Sequence, residues 1–163
     1  MANITQKITP FLTFDNQAEE AAKFYTSIFK DSSINGISYY GEGAPVPKGS
    51  VMTVSFTLFG INYTALNAGS HPDFKFTNGV SFVVHCENQA EVDYYWDKLT
   101  EGGQPIACGW LKDKFGLSWQ ITPIRLIELI TDKDKEKASR VMQAMMKMIK
   151  IDIPTLEKAA EGK

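Results

Sequence analysis

From residue 51 to residue 58 the chain alternates. Met52, Val54, Phe56 and Leu58 are apolar, and Thr53, Ser55 and Thr57 carry hydroxyls. A period of two predicts a half-buried strand with an apolar back and a hydroxyl-lined front. Leu117, Trp119 and Ile121 alternate with Ser118, Gln120 and Thr122 in the same way. Elsewhere the period is helical. Ala21, Phe24, Tyr25, Ile28 and Phe29 fall on one face of a helix from about Gln17 to Phe29. Val92, Tyr95, Trp96 and Leu99 do the same in a second helix, which Gly102-Gly103 ends. Further strands are predicted at 7–14, 33–40, 63–68, 80–86, 105–110 and 126–130. Residues 41–49 hold three Gly and two Pro and predict a loop, as does the stretch 69–78. After Asp132 the pattern turns helical again. Val141, Met145, Met148 and Ile149 make a stripe, and Pro154 opens a short last helix over 155–161. Methionine adapts to irregular surfaces, so this tail predicts a clamp or a subunit contact.

The two halves share a local signature. Asn16-Gln17-Ala18-Glu19 recurs as Asn88-Gln89-Ala90-Glu91, each time after a predicted strand and before a predicted helix. Asn is a good N-cap, and a Glu three residues on completes a capping box. Each half then reads β-α-β-β-β. The fold class is α+β with a duplicated module, and a pocket is expected between the halves.

Composition narrows the partners. A chain of 163 residues makes one ordinary domain, or two small halves sharing a core. A net charge of -2 without a basic stripe argues against a nucleic-acid partner. Apolar runs fall short of a membrane span, so no membrane partner is expected. Met1 to Lys7 contains no apolar core of a secretory signal, and Cys86 and Cys108 make no disulfide framework. A cytoplasmic location with reduced thiols is expected.

Several runs resemble the PhnB-like branch of the vicinal oxygen chelate superfamily, which includes glyoxalases, bleomycin-resistance proteins and extradiol dioxygenases. They are Ile8 to Leu12, Ala18 to Tyr25, Gly49 to Val54, Leu66 to Gly69, Phe74 to Phe76, Cys108 to Gln120, Arg140 to Met145 and Lys150 to Ile153. The branch often carries the name 3-demethylubiquinone-9 3-methyltransferase. The resemblance implies one domain over 1–131, built of modules at 5–70 and 79–131, with a helical extension at 132–163. It also implies a homodimer and a small-molecule ligand held in a cup-shaped pocket.

Superfamily enzymes typically hold a divalent metal with His, Gln or Glu side chains, which acts as a Lewis acid on the substrate. The Glu expected four residues after a strand-leading Gly becomes Gln120 here, after Gly116, and the other ligand position falls at Ser81. No His-His-Glu set assembles at these positions, so no cofactor is expected. A divalent metal, if bound, would draw on Gln120 and His71, with His85 as a further donor. Ligand-binding candidates are Asn67 at a strand end, His71 in the loop after it, Ser81, Cys108, Trp110 and Gln120. The hydroxyls of Thr53, Ser55, Thr57, Ser118 and Thr122 are expected to line the cup, with Phe11 beside them. Phe74 and Phe76 suit a lid over it. Lys112-Asp113-Lys114 reads as a solvated hairpin turn. Three functions are open on this reading: ligand binding without chemistry, an atypical metal-dependent lyase, isomerase or dioxygenase, and methyl transfer. For the last, the first strand leads into Asp15-Asn16-Gln17 and not into a Gly-rich nucleotide turn.

Overall fold

Alternating and helical periods place the elements, and packing fixes their faces. The computed structural model describes residues 6–162, which fall into two compact units divided between Lys75 and Phe76.

In the first unit, β1 (Phe11–Phe14) leads into α1 (Ala18–Ile28), then β2 (Ser33–Tyr39), β3 (Val51–Leu58) and β4 (Ile61–Asn67). The sheet order is β1-β4-β3-β2, with β1 parallel to β4 and the other pairs antiparallel. The apolar back of β3 and β4, comprising Val54, Phe56, Leu58, Tyr63 and Ala65, is buried. So is the α1 face of Ala18, Ala21, Ala22, Tyr25 and Ile28 that packs against it. Phe56 stacks between Tyr25 and Tyr63, with ring centroids at 6.2 and 5.3 Å. The hydroxyl front is committed to cross-strand bonds. Thr53 pairs with Ser38, Ser55 donates to the Gly36 carbonyl, and Thr57 donates to Asn62.

The second unit repeats the plan. β5 (Ser81–Cys86) leads into α2 (Gln89–Thr100), then β6 (Gln104–Pro105), β7 (Trp110–Lys112) and β8 (Ser118–Pro123). The order β5-β8-β7-β6 copies the first sheet, again with the first strand parallel to the last. Val92, Tyr95, Trp96 and Leu99 of α2 cover a back of Val84, Cys86, Leu111, Trp119 and Ile121. Gly103 is required at its turn, because a Cβ there would stand 2.2 Å from the Lys112 carbonyl oxygen. The duplicated β-α-β-β-β module is therefore present in both halves.

Two assignments within it need correction. The strand predicted at 105–110 is split into β6 and β7 by a turn at 106–109, and residues 126–130 belong to a helix, α3 (Ile124–Ile130). An apolar run of five residues cannot separate strand from helix by period. Here Leu126 and Leu129, three apart, turn inward, and Ile124 and Ile127 turn outward. With α4 (Lys135–Met145) and α5 (Ile153–Glu161), α3 builds a core of Leu126, Leu129, Val141, Ile151, Leu156 and Ala160. Asp134 and Asp152 cap α4 and α5. The Met-rich stripe therefore serves two purposes. Val141, Met145 and Met148 face this core, while Met142, Met146 and Ile149 stay exposed.

The repeated tetrapeptide is capped in two different ways. Asn88 accepts from the Glu91 amide at 3.0 Å, and the Glu91 carboxylate accepts from the Glu87 amide at 2.8 Å, one residue beyond the usual box. Asn16 makes no such bond. The N-cap of α1 is Gln17, without a side-chain bond, and the Ala18 amide donates instead to Asn67 Oδ1 at 2.8 Å. The register explains the difference. Asn67 ends β4 opposite Phe14, whereas Pro123 ends β8 opposite Cys86. Proline has no side-chain acceptor, so the second helix supplies its own cap.

Candidate functional site

The second sheet brings three of the sequence candidates together. Cross-strand partners share a face, and Gln120 pairs with both Trp110 and Val83, while Ser81 pairs with Ser118. Ser81, Val83, Trp110, Gln120 and Thr122 thus lie on the face of the sheet away from α2. The Gln120 amide nitrogen donates to Ser81 Oγ at 2.9 Å, which turns the amide oxygen away from that bond and fixes its orientation. Trp110 is half-buried and adds an aromatic surface next to Gln120. Val83 is 43% exposed and was not singled out in the sequence, although it shares the parity of Ser81. Ser118 departs from expectation. It is fully buried and donates to Asn78 at 3.0 Å, so it lines no open surface. The face is neutral in its middle, with exposed His85 toward one end and half-buried Lys112 toward the other.

The turn before Trp110 is unusual. Cys108 has a φ of 58° and Gly109 of 81°, and both amides point at the C-terminal extension, donating to the Met148 and Ile149 carbonyls at 2.8 Å each. A Cβ at Gly109 would sit 2.8 Å from the Ile121 carbonyl oxygen and 3.0 Å from Ile151. The Cys108 thiol is free and half-buried.

The charged turn also differs from its prediction as a solvated hairpin. Asp113 is 3% exposed. Its carboxylate accepts from the Phe115 and Leu117 amides and from the Trp119 indole at 2.9, 3.0 and 2.9 Å. It organises the β7–β8 connection and anchors Trp119 in the core. The spacing Asp-Lys-x-x-x-x-Trp carries no sequence signal for this, because the indole returns from the next strand.

Asn67 and His71 lie in the first unit. Asn67 caps α1, donates to the Val51 carbonyl at 3.1 Å, and its own carbonyl accepts from the Tyr40 hydroxyl at 2.6 Å. It also walls a cavity of about 340 Å³ with Asp15, Glu19, Tyr40, Val46 and Pro47. His71 is exposed, beside Phe74 at 4.9 Å, and its Nδ1 accepts from the Asp73 amide at 3.2 Å. Phe74 is 49% exposed.

Among the described residues, no group of three or more His, Cys, Asp or Glu side chains is placed to hold a metal ion. Ser81 and Gln120 carry neutral side chains bonded to each other. This arrangement does not fit the usual His and Glu set. Among the described residues, no helix is long and apolar enough to cross a membrane.

The model of the family described as 3-demethylubiquinone-9 3-methyltransferase matches residues 6–122. The chain belongs to this PhnB-like family. Among solved structures, the PhnB protein from Bacillus cereus, which bears the same methyltransferase name, is 40% identical with a TM-score of 0.67. The match takes in 72% of this chain and 99% of that one. Protein PA1353 from Pseudomonas aeruginosa is 21% identical over 73% of this chain and 98% of its own, with a TM-score of 0.58. The fosfomycin resistance protein FosX from Mesorhizobium loti shares the fold at 11% identity, over 71% of this chain and 89% of its own, with a TM-score of 0.50. No curated protein matches the chain. The family is a branch of the vicinal oxygen chelate superfamily, in line with the resemblance read in the sequence. The matched stretch ends at 122, just before the α3–α5 extension.

Proposed function

We propose that this PhnB-like protein binds a small, uncharged organic ligand on the cup-shaped face carrying Ser81, Val83, Trp110 and Gln120, without a typical metal centre. The observation that carries the reading is the Gln120–Ser81 hydrogen bond. It orients a neutral amide, at positions that the family resemblance would assign to metal ligands, with its oxygen suited to accept from an N–H or O–H of the ligand. Trp110 would supply a flat apolar surface, and an apolar face with a few converging polar groups suits a small organic molecule. His71 and Asn67 enter the reading less directly, since Asn67 is engaged in capping α1 and His71 in its own loop turn. We place the protein in the cytoplasm as a homodimer, consistent with its two free cysteines and the exposed Met142, Met146 and Ile149.

The test is a titration with N-phenyl-1-naphthylamine, an uncharged aromatic amine with one N–H, monitored by its fluorescence. Saturable binding is expected, weakened about tenfold by Gln120→Ala, the order of one lost hydrogen bond to a buried group. Trp110→Ala is expected to weaken it at least as much. Parallel titrations with Mn, Fe(II), Ni and Zn, and with S-adenosylmethionine, decide between the readings. Near-stoichiometric metal that is lost in Gln120→Ala would replace this reading with an atypical metal-dependent lyase, isomerase or dioxygenase. Saturable S-adenosylmethionine binding would replace it with methyl transfer.

A further inference from the structure

The Gln89 side chain is fully used, and everything it touches leads to one segment. Its amide nitrogen donates to Asp93 and to the Ile151 carbonyl, both at 3.1 Å, and its amide oxygen accepts from the Ile153 amide at 2.8 Å. A single side chain thus makes the paired donor and acceptor contacts of a β-bridge to residues 151–153. Asp93 completes the tie with a 2.6 Å ion pair to Lys150. Lys150 first, and Gln89 second, hold the Asp93 carboxyl below its usual range. The segment so fastened is the one whose Met148 and Ile149 carbonyls accept from Cys108 and Gly109. Gly109 leaves no room for a Cβ against Ile151, and Trp110 comes directly after it.

We infer that Gln89 is a positioning residue for the ligand face. It straps residues 148–153 of the extension onto the first turn of α2, and the strap in turn holds the Cys108–Gly109 turn that sets Trp110. The extension lies beyond the stretch that the family model matches, residues 6–122. The strap therefore couples the extension, which lies outside the two β-α-β-β-β modules, to Trp110. The consequence for ligand rests on the function proposed above, whereas the mechanical coupling does not.

The experiment tracks individual amides of the full-length chain by hydrogen exchange in NMR, together with acrylamide quenching of tryptophan. Trp96 and Trp119 are buried, so a rise in quenching reports Trp110. In Gln89→Ala, the Cys108, Gly109 and Ile153 amides are expected to exchange about tenfold faster or more, while amides of β3 are unchanged. Trp110 quenching should at least double, and the dissociation constant for N-phenyl-1-naphthylamine should rise at least about threefold. Faster exchange at Ile153 with Cys108, Gly109 and Trp110 unchanged would overturn the inference. If Gln89→Ala loosens the whole second unit, Lys150→Met, which cuts only the half-exposed ion pair, must give the same local pattern in weaker form; its absence there also overturns it. Should the probe fail to bind the wild-type chain, the proposed function falls, and the exchange data still decide the strap.

Discussion

Cys86 shows at the scale of one residue how packing sets chemistry. Its side chain is fully buried under α2, and burial, with the Glu91 carboxylate adding to it, pushes the thiol up from 9.0 to about 12. In the unfolded chain the same thiol ionises near its ordinary value. Between pH 9 and pH 12 the unfolded chain therefore holds fewer protons than the folded one, and stability falls as pH rises. Tyr63 and Tyr95, both raised by burial, deepen the fall above about pH 10. Urea midpoints measured from about pH 8 to about pH 11 should decline, and the decline should be shallower in Cys86→Ala. Parallel curves for the two proteins would mean that burial does not hold the thiol neutral. At about pH 8, Ellman's reagent should find the half-buried Cys108 in the folded chain and leave Cys86 unmodified until urea is added. The side of the sheet on which Cys86 sits was legible from its parity with Phe82 and Val84. The burial of Asp113 was not, because three donors from the turn and strand after it reach it only once the hairpin has closed.

Elements show where local signals suffice. The alternation at 51–58 and at 117–122 marked strands with the correct inward faces, since a period of two is hard to mimic. The seven-residue α3 did not declare itself, because two helical turns offer too few positions to expose a period. Cap signals were legible in form but not in use. The same four residues precede both helices, yet only Asn88 caps its helix, and α1 borrows Asn67 from the far end of β4. Asn88→Ala should therefore cost about 1 kcal/mol in urea denaturation, the usual value of an N-cap. Asn16→Ala should be close to neutral. Asn67→Ala should cost more than either, about 2 kcal/mol, because it removes the α1 cap and the bond to the Val51 carbonyl together. Equal losses at Asn16 and Asn88 would mean that the first copy caps its helix after all.

At the scale of the whole molecule, the two units share one strand order and differ in the segment attached to their last strand. β4 runs into a Gly-containing loop and donates Asn67 to its own helix, whereas β8 ends in Pro123 and starts an extension of three helices. The Bacillus cereus relative matches over 99% of its length with only 72% of this chain, so the shared fold does not require the extension. In this chain the extension is nonetheless tied into the second unit by hydrogen bonds. Its removal would strip acceptors from the Cys108 and Gly109 amides and leave both ends of the Gln89 amide without their partners in the extension. Each lost partner of a buried group costs about 1–3 kcal/mol, and a domain is stable by only about 5–15 kcal/mol. A chain ending at Pro123 should therefore lose exchange protection throughout β5–β8 and α2, while α1 and β3 of the first unit keep theirs. The same truncation should expose the face of Trp110 to acrylamide to the degree seen for a free indole. If the shortened chain instead keeps wild-type protection in β7 and β8, the extension is an appendage of the second unit and contributes nothing to its site. The difference is measurable because the dependence runs through a few backbone amides, and each gives its own resonance.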